Sequence, residues 1–179
     1  GKAKLIDKIN ANPLKRAMRL DKVIIAALQA VLQLYLSPNT LATRLPTLRH
    51  LQRSCENIQA MAEVLLPSIA DTLKNVAHVE IIDCKSQPGS GALPTTYLPS
   101  KGLCITSKLL KEGDMQGKAA NINDIAKSFR LLSVPVIGKL KNGKLILDLR
   151  CLENADELTD QMPTLRKILE RDLLSISVP

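Results

Sequence analysis
Two arginines three residues apart, Arg16 and Arg19, stand in the stretch Asn12-Pro13-Leu14-Lys15-Arg16-Ala17-Met18-Arg19. If Pro13 opens a helical turn, that spacing projects both side chains from one side. Two guanidinium forks on one side can grip a phosphate-like dianion. Cations near a helix start sit at the unfavourable end of its dipole, a small cost that a bound anion would offset. An exposed basic patch ahead of a buried helix fits the same spacing, and spacing alone leaves both readings open. A second stretch, Ser86-Gln87-Pro88-Gly89-Ser90-Gly91-Ala92-Leu93-Pro94, has two glycines that permit close backbone approach to a ligand or another chain. It lacks the strand-then-helix setting of a nucleotide fingerprint, so a tight connection between strands is the simpler reading.

No other residues assemble into a reactive set by spacing. His50 and His78 have no evident partners, form no nucleophile–base pair and read as surface or packing residues. Cys55, Cys84, Cys104 and Cys151 contain no Cys-x-x-Cys pair, and the histidines complete no metal-ligand spacing with them. Mostly flanked by apolar residues, they read as buried thiols of a reducing cytosol, with neither disulfide nor metal expected.

The elements that must position these residues are built from an aliphatic composition. Hydrophobic residues make up 45% of the 179, yet there are only one Phe, two Tyr and no Trp. A core of Leu, Ile, Val and Ala is therefore expected, without the aromatic platforms of base-stacking nucleic-acid modules. The net charge of +8 suits a polyanionic partner or a solubilising surface. Much of the excess lies at the start, where Lys2, Lys4, Lys8, Lys15, Arg16, Arg19 and Lys22 face only Asp7 and Asp21. The most apolar stretch, 23–36, contains Gln29 and Gln33 and is too short to span a bilayer, and no signal peptide is visible, so a soluble protein is expected.

Periodicity predicts a helix over 3–11, punctuated by Asn12-Pro13, then a long helix over 21–36 that Asp21 would open. That second helix is apolar nearly all round and is expected to be buried on both sides. Short and long helices follow at 40–45 and 47–66, with Pro67 kinking the chain or starting a new turn to Leu73. Period-two alternation predicts a strand at 77–85, a second short strand at 102–106, and an exposed loop at 111–118. Asn121 or Asn123 would cap a helix to Leu132, with Ile125, Phe129 and Leu132 facing inward. Strands at 136–140 and 144–149 flank Asn142-Gly143, a strong hairpin signal. An amphipathic helix over 163–174 ends the chain. This order predicts an α+β lobe, helices on a small and mainly antiparallel sheet.

Six ordered stretches resemble one family. They are Pro13-Leu14-Lys15-Arg16-Ala17-Met18-Arg19-Leu20-Asp21-Lys22, the Ala-rich helix ending in Leu34-Tyr35-Leu36, Leu45-Pro46-Thr47-Leu48-Arg49, the 86–94 stretch, Val134-Pro135-Val136-Ile137-Gly138, and Asn142-Gly143-Lys144-Leu145-Ile146-Leu147-Asp148-Leu149-Arg150-Cys151-Leu152. Together they resemble the C-terminal part of bacterial selenocysteine synthases, the L-seryl-tRNA(Sec) selenium transferases. The likeness runs from Gly1 to about Met162 and leaves out the tail after Pro163. It implies a fold-type-I enzyme that uses pyridoxal phosphate to convert seryl-tRNA(Sec) to selenocysteinyl-tRNA(Sec), with selenophosphate as donor. It divides the chain into the end of the cofactor domain with a long connecting helix (1–44), the small C-terminal α+β domain (45–162) and a helical tail (163–179). It also implies a cytoplasmic homo-oligomer, a ring of dimers.

By this resemblance Arg16 and Arg19 match arginines that face the active site and bind the selenophosphate-like anion. Ser90 and Gly91 would lie on a loop facing the same site. The family's Schiff-base lysine falls shortly before the Gly-Lys matched by Gly1-Lys2, so no catalytic residue is assigned here and the chain alone is expected to be inactive. The family's tRNA-binding domain would also precede it. Two other readings compete. One is a related lyase of phosphorylated amino compounds, in which Arg16 and Arg19 would hold the substrate's phosphate. The other is a non-catalytic basic module in assembly or RNA association, where scarce aromatics argue against sequence-specific recognition but leave salt-sensitive phosphate binding open.

Overall fold
The computed structural model describes residues 1–87, 96–108 and 121–175, and divides into two compact units, 1–49 and 50–179. The expected 111–118 loop lies outside the described residues.

The first unit is helical. Helix α1 (Ala3–Ala11) ends at Asn12, whose extended backbone hands over to a 3-10 turn at Pro13–Arg16. The Asn12 side chain accepts a hydrogen bond from the Leu14 N–H at 2.9 Å. Helix α2 (Lys22–Leu34) is capped by Asp21, which accepts from the Ile24 N–H at 2.8 Å. Helix α3 (Pro38–Arg44) follows, and α4 (Pro46–Gln52) crosses the division between units. Proline opens both, because its fixed φ suits a first helical turn and its missing N–H would be unpaired there.

The expected two-sided burial of α2 is not met within this chain. No residue of 1–49 is buried, and Val23 is 75% exposed. A helix that is apolar all round needs cover on more than one side, and a single run of short helices supplies no second layer.

The second unit holds the core. Helix α5 (Cys55–Leu73) turns Ile58, Ala62, Leu65, Ile69 and Leu73, spaced three or four apart, onto one fully buried stripe. The single helix expected over 47–66 is in fact broken ahead of Cys55. Ser54 adopts extended backbone there and accepts from the Asn57 N–H at 3.2 Å, a local N-cap. Pro67 then sits inside α5, which runs on without a new start.

Strands β1 (Ala77–Ser86), β2 (Leu98–Ser107), β3 (Lys139–Lys141) and β4 (Lys144–Asp148) form one antiparallel sheet in the order β1-β2-β4-β3. In register Val79 faces Ile105, Leu103 faces Leu147 and Ile105 faces Leu145, all buried in one cluster with the α5 stripe. Strand β2 begins four residues earlier than expected and includes Pro99. A proline is tolerated there because β4 pairs only from Gly102 onward, leaving that stretch bonded to β1 alone. At the β3–β4 turn Asn142 and Gly143 take φ of 51° and 71°, the left-handed pair of a two-residue hairpin.

Helix α6 (Ile122–Arg130), capped by Asn121, contributes Ile125 and Phe129 to the core, with Leu132 just beyond it. The short α7 (Asp156–Thr159) and the final α8 (Met162–Ser175) complete the layer, Leu165 of α8 being fully buried. Helices thus cover one face of a small antiparallel sheet, the expected α+β arrangement. No helix among the described residues is long and apolar enough to cross a membrane.

Candidate functional site
Arg16 closes the 3-10 turn, and the Arg19 N–H donates back to the Arg16 carbonyl at 3.5 Å. Arg19 itself lies beyond that turn, outside any helix. Both arginines are exposed. Neither guanidinium has a hydrogen-bond or ion-pair partner among the described residues. The neighbouring Lys15 differs, because its ammonium is engaged by the Asn10 side chain. Two delocalised cations three residues apart are therefore left unneutralised.

Ser90 and Gly91 lie outside the described residues. The two sides of their segment are placed, however, since Ser86 at the end of β1 pairs with Leu98 at the start of β2.

Directly beneath that base lies a polar network that spacing did not reveal. Asp148 accepts from the Ser100 hydroxyl at 2.7 Å and from the Arg150 N–H at 3.1 Å through Oδ1, and from the Ser86 hydroxyl through Oδ2. Arg150, 5% exposed, directs Nε to the Ser86 hydroxyl at 3.2 Å. Its Nη1 donates to the carbonyls of His50 and Arg53 at 2.9 and 3.0 Å, and its Nη2 to that of Pro99. Arg53 returns the arrangement, donating to the carbonyls of Leu149 and Arg150 at 3.1 Å each and to that of Leu152. The two arginines clasp the α4–α5 joint to the ends of β2 and β4. No buried side-chain polar atom among the described residues is left without a partner. The only sequence signal was Asp148-Leu149-Arg150 closing an apolar strand.

The cysteines depart in part from the expected buried thiols. Cys104 is buried and Cys55 and Cys84 are half-buried, but Cys151 is exposed, because it lies in the turn after β4 where strand alternation has ended. All four are free. Burial first, and then the Asp148 charge, push the Cys84 thiol up to about 11. It is thus a neutral thiol near neutral pH and a poor nucleophile. His50 has a partner after all, its Nε2 lying 3.4 Å from a Glu153 carboxylate oxygen, while His78 is exposed on β1. Among the described residues no His, Cys, Asp and Glu cluster could hold a metal.

A helix-covered four-stranded antiparallel lobe preceded by a helical segment defines an α+β domain with a helical N-terminal part. A family model for L-seryl-tRNA selenium transferases matches residues 1–153, and the chain belongs to that family. It is 43% identical over 162 residues to the L-seryl-tRNA(Sec) selenium transferase of Klebsiella pneumoniae (strain 342), covering 90% of this chain and 33% of that protein. It is 41% identical, over 90% of its length, to the protein of the same name from Escherichia coli O139:H28 (strain E24377A / ETEC), of which it covers 34%. The chain therefore spans about a third of the length of these curated relatives.

Proposed function
We propose that these residues form the C-terminal part of a selenocysteine synthase, a cytoplasmic homo-oligomer that converts seryl-tRNA(Sec) to selenocysteinyl-tRNA(Sec) with selenophosphate. The observation that carries this reading is the family match over 1–153 combined with the free Arg16–Arg19 pair within it. In the full-length protein 45–162 is the small C-terminal domain of a fold-type-I transferase, and 1–44 is the end of the cofactor domain with the long connecting helix.

Pyridoxal phosphate requires a lysine whose amine is held, desolvated, against the cofactor's aldehyde. Every described lysine is exposed except Lys101, which is paired with Asp83 at 2.7 Å. None of them fits that role. The cofactor, which supplies the carbanion chemistry of the reaction, is assigned to residues outside this chain, and the chain alone is inactive. What its own residues do is electrostatic. Arg16 and Arg19 hold the selenophosphate dianion through charge-assisted hydrogen bonds and stabilise the phosphate that leaves. Arg150 and its partners fix the described residues on either side of 88–95, Ser86 at the end of β1 and Pro99 at the start of β2.

The test is Arg16→Ala in the full-length enzyme. One charge-assisted contact is worth about 1.5–3 kcal/mol, so kcat/KM for selenophosphate should fall about 10- to 100-fold. Cofactor absorbance should be retained. Unchanged kinetics toward selenophosphate would remove Arg16 from the donor site.

A further inference from the structure
The sheet face turned away from α5 carries a groove of about 760 Å³ between β1, the β3–β4 hairpin and the residues leading into β2. Three of its lining residues are lysines: Lys85 at the end of β1, and Lys139 and Lys141 on the edge strand β3. All three are exposed and without an ion-pair partner among the described residues. The groove's two carboxylates do not neutralise them. Asp83 is bound to Lys101 at 2.7 Å, and Asp148 has the Arg150 guanidinium as its counter-charge through the shared Ser86 hydroxyl. The groove therefore presents three unspent positive charges to whatever occupies it.

Its remaining surface is not that of a simple charged patch. Tyr97, one of three aromatics in the whole chain, stands 53% exposed at one side, and Ile137 stands 80% exposed at the other. Half-buried Ile146 forms the floor. The backbone at Gly138 lies so close to β4 that an added Cβ would meet Leu145 Cδ1 at 2.6 Å and Leu147 Cδ2 at 2.7 Å. That close approach sets Ile137 and Lys139 beside the sheet. A flat aromatic ring, apolar walls and a row of cations are the three components of a site that stacks a base while following a phosphate chain. A duplex offers its bases only at their edges, so an exposed ring selects an unpaired strand.

We propose that this groove binds a single-stranded segment of RNA, with Lys85, Lys139 and Lys141 along its phosphates and Tyr97 stacked on one base. The site uses none of the residues assigned to selenophosphate and does not depend on the selenium-transfer reading.

The experiment is fluorescence anisotropy of the 179-residue chain with a labelled mixed-sequence RNA of about 12 nucleotides, single-stranded or annealed to its complement. The variant carrying Lys85→Ala, Lys139→Ala and Lys141→Ala should bind the single strand at least about tenfold more weakly. Its salt dependence should flatten by about two log units per log unit of salt, the contribution of three phosphates on a single strand. Tyr97→Ala should lose about fivefold or more with the salt slope unchanged, since stacking is not a counterion effect. These side chains are exposed, and unchanged circular dichroism confirms that each variant folds. A matched variant with Lys2→Ala, Lys4→Ala and Lys8→Ala, in α1, should bind as the parent does. The proposal is overturned if the groove variant binds like the parent or if the α1 variant takes the whole loss. It also falls if duplex and single strand bind alike regardless of Tyr97. Capture of a polyglutamate peptide in preference to RNA would reassign the groove to an acidic protein.

Discussion

Arg150 is the side chain on which most of the second unit's irregular backbone converges. It serves carbonyls from the α4–α5 joint and from β2 while itself only 5% exposed. Arg150→Ala would strip several acceptors at once and leave Asp148 without its Ser86-mediated counter-charge. Unsatisfied acceptors cost about 1–3 kcal/mol each, and breaking a buried charged network about 3–5, so a loss of about 3 kcal/mol is expected. Urea unfolding followed by circular dichroism would measure it. Arg150→Lys should recover only part, because an ammonium cannot spread its donors over carbonyls on two sides. A parent-like midpoint for Arg150→Ala would mean that the clasp adds no net stability. Arg16 and Arg19 could be singled out in the sequence because their relation is local, three positions apart in the chain. Arg150 could not, because its partner His50 is 100 residues away and only the fold brings the two together.

Strands and helices with strong local signals stand where period and turn chemistry place them. Asn142-Gly143 makes its hairpin, Asp21 and Asn121 cap their helices, and β1 alternates from Ala77. Strands β2 and β3 start elsewhere than expected, at Leu98 and Lys139. Another misplaced boundary lies between α4 and α5, where the apolar stripe continues through Arg53-Ser54 and hides the break. There a serine cap and the tertiary pull of Arg150 on the Arg53 carbonyl override the helical period. Pro67 was read as a kink or a new start, but α5 continues because burial of Ile69 and Leu73 outweighs one missing bond. A proline inside a helix costs about 3 kcal/mol relative to alanine. The Pro67 ring is exposed, so its replacement opens no cavity. Pro67→Ala should therefore raise the urea midpoint and stabilise the second unit by about 1 kcal/mol or more. A lowered midpoint would show that the proline's bend is what carries Ile69 and Leu73 into the core.

At the scale of the whole molecule, apolar residues and burial are distributed very differently. The sequence marks 23–36 as its most apolar stretch, yet every buried hydrophobic residue lies at Ile58 or beyond. Helical pattern reads as burial only when something is present to cover the helix, and for α2 these residues supply no cover. Folding stability therefore resides in the second unit. A chain of residues 45–179 keeps α4 whole, including the hydrogen bond from the Arg49 N–H to the Leu45 carbonyl at 3.0 Å, and keeps all of the core. Its urea midpoint should match that of the 179-residue chain within about 0.5 kcal/mol, the scatter of changes that touch no buried group. It should also bind less of a hydrophobic dye and stay monodisperse at higher concentration, because Val23, Ile24, Leu28 and Leu36 go with the removed segment. Loss of a cooperative transition in 45–179 would overturn this, and would assign residues 1–44 a part in folding that their exposure does not record.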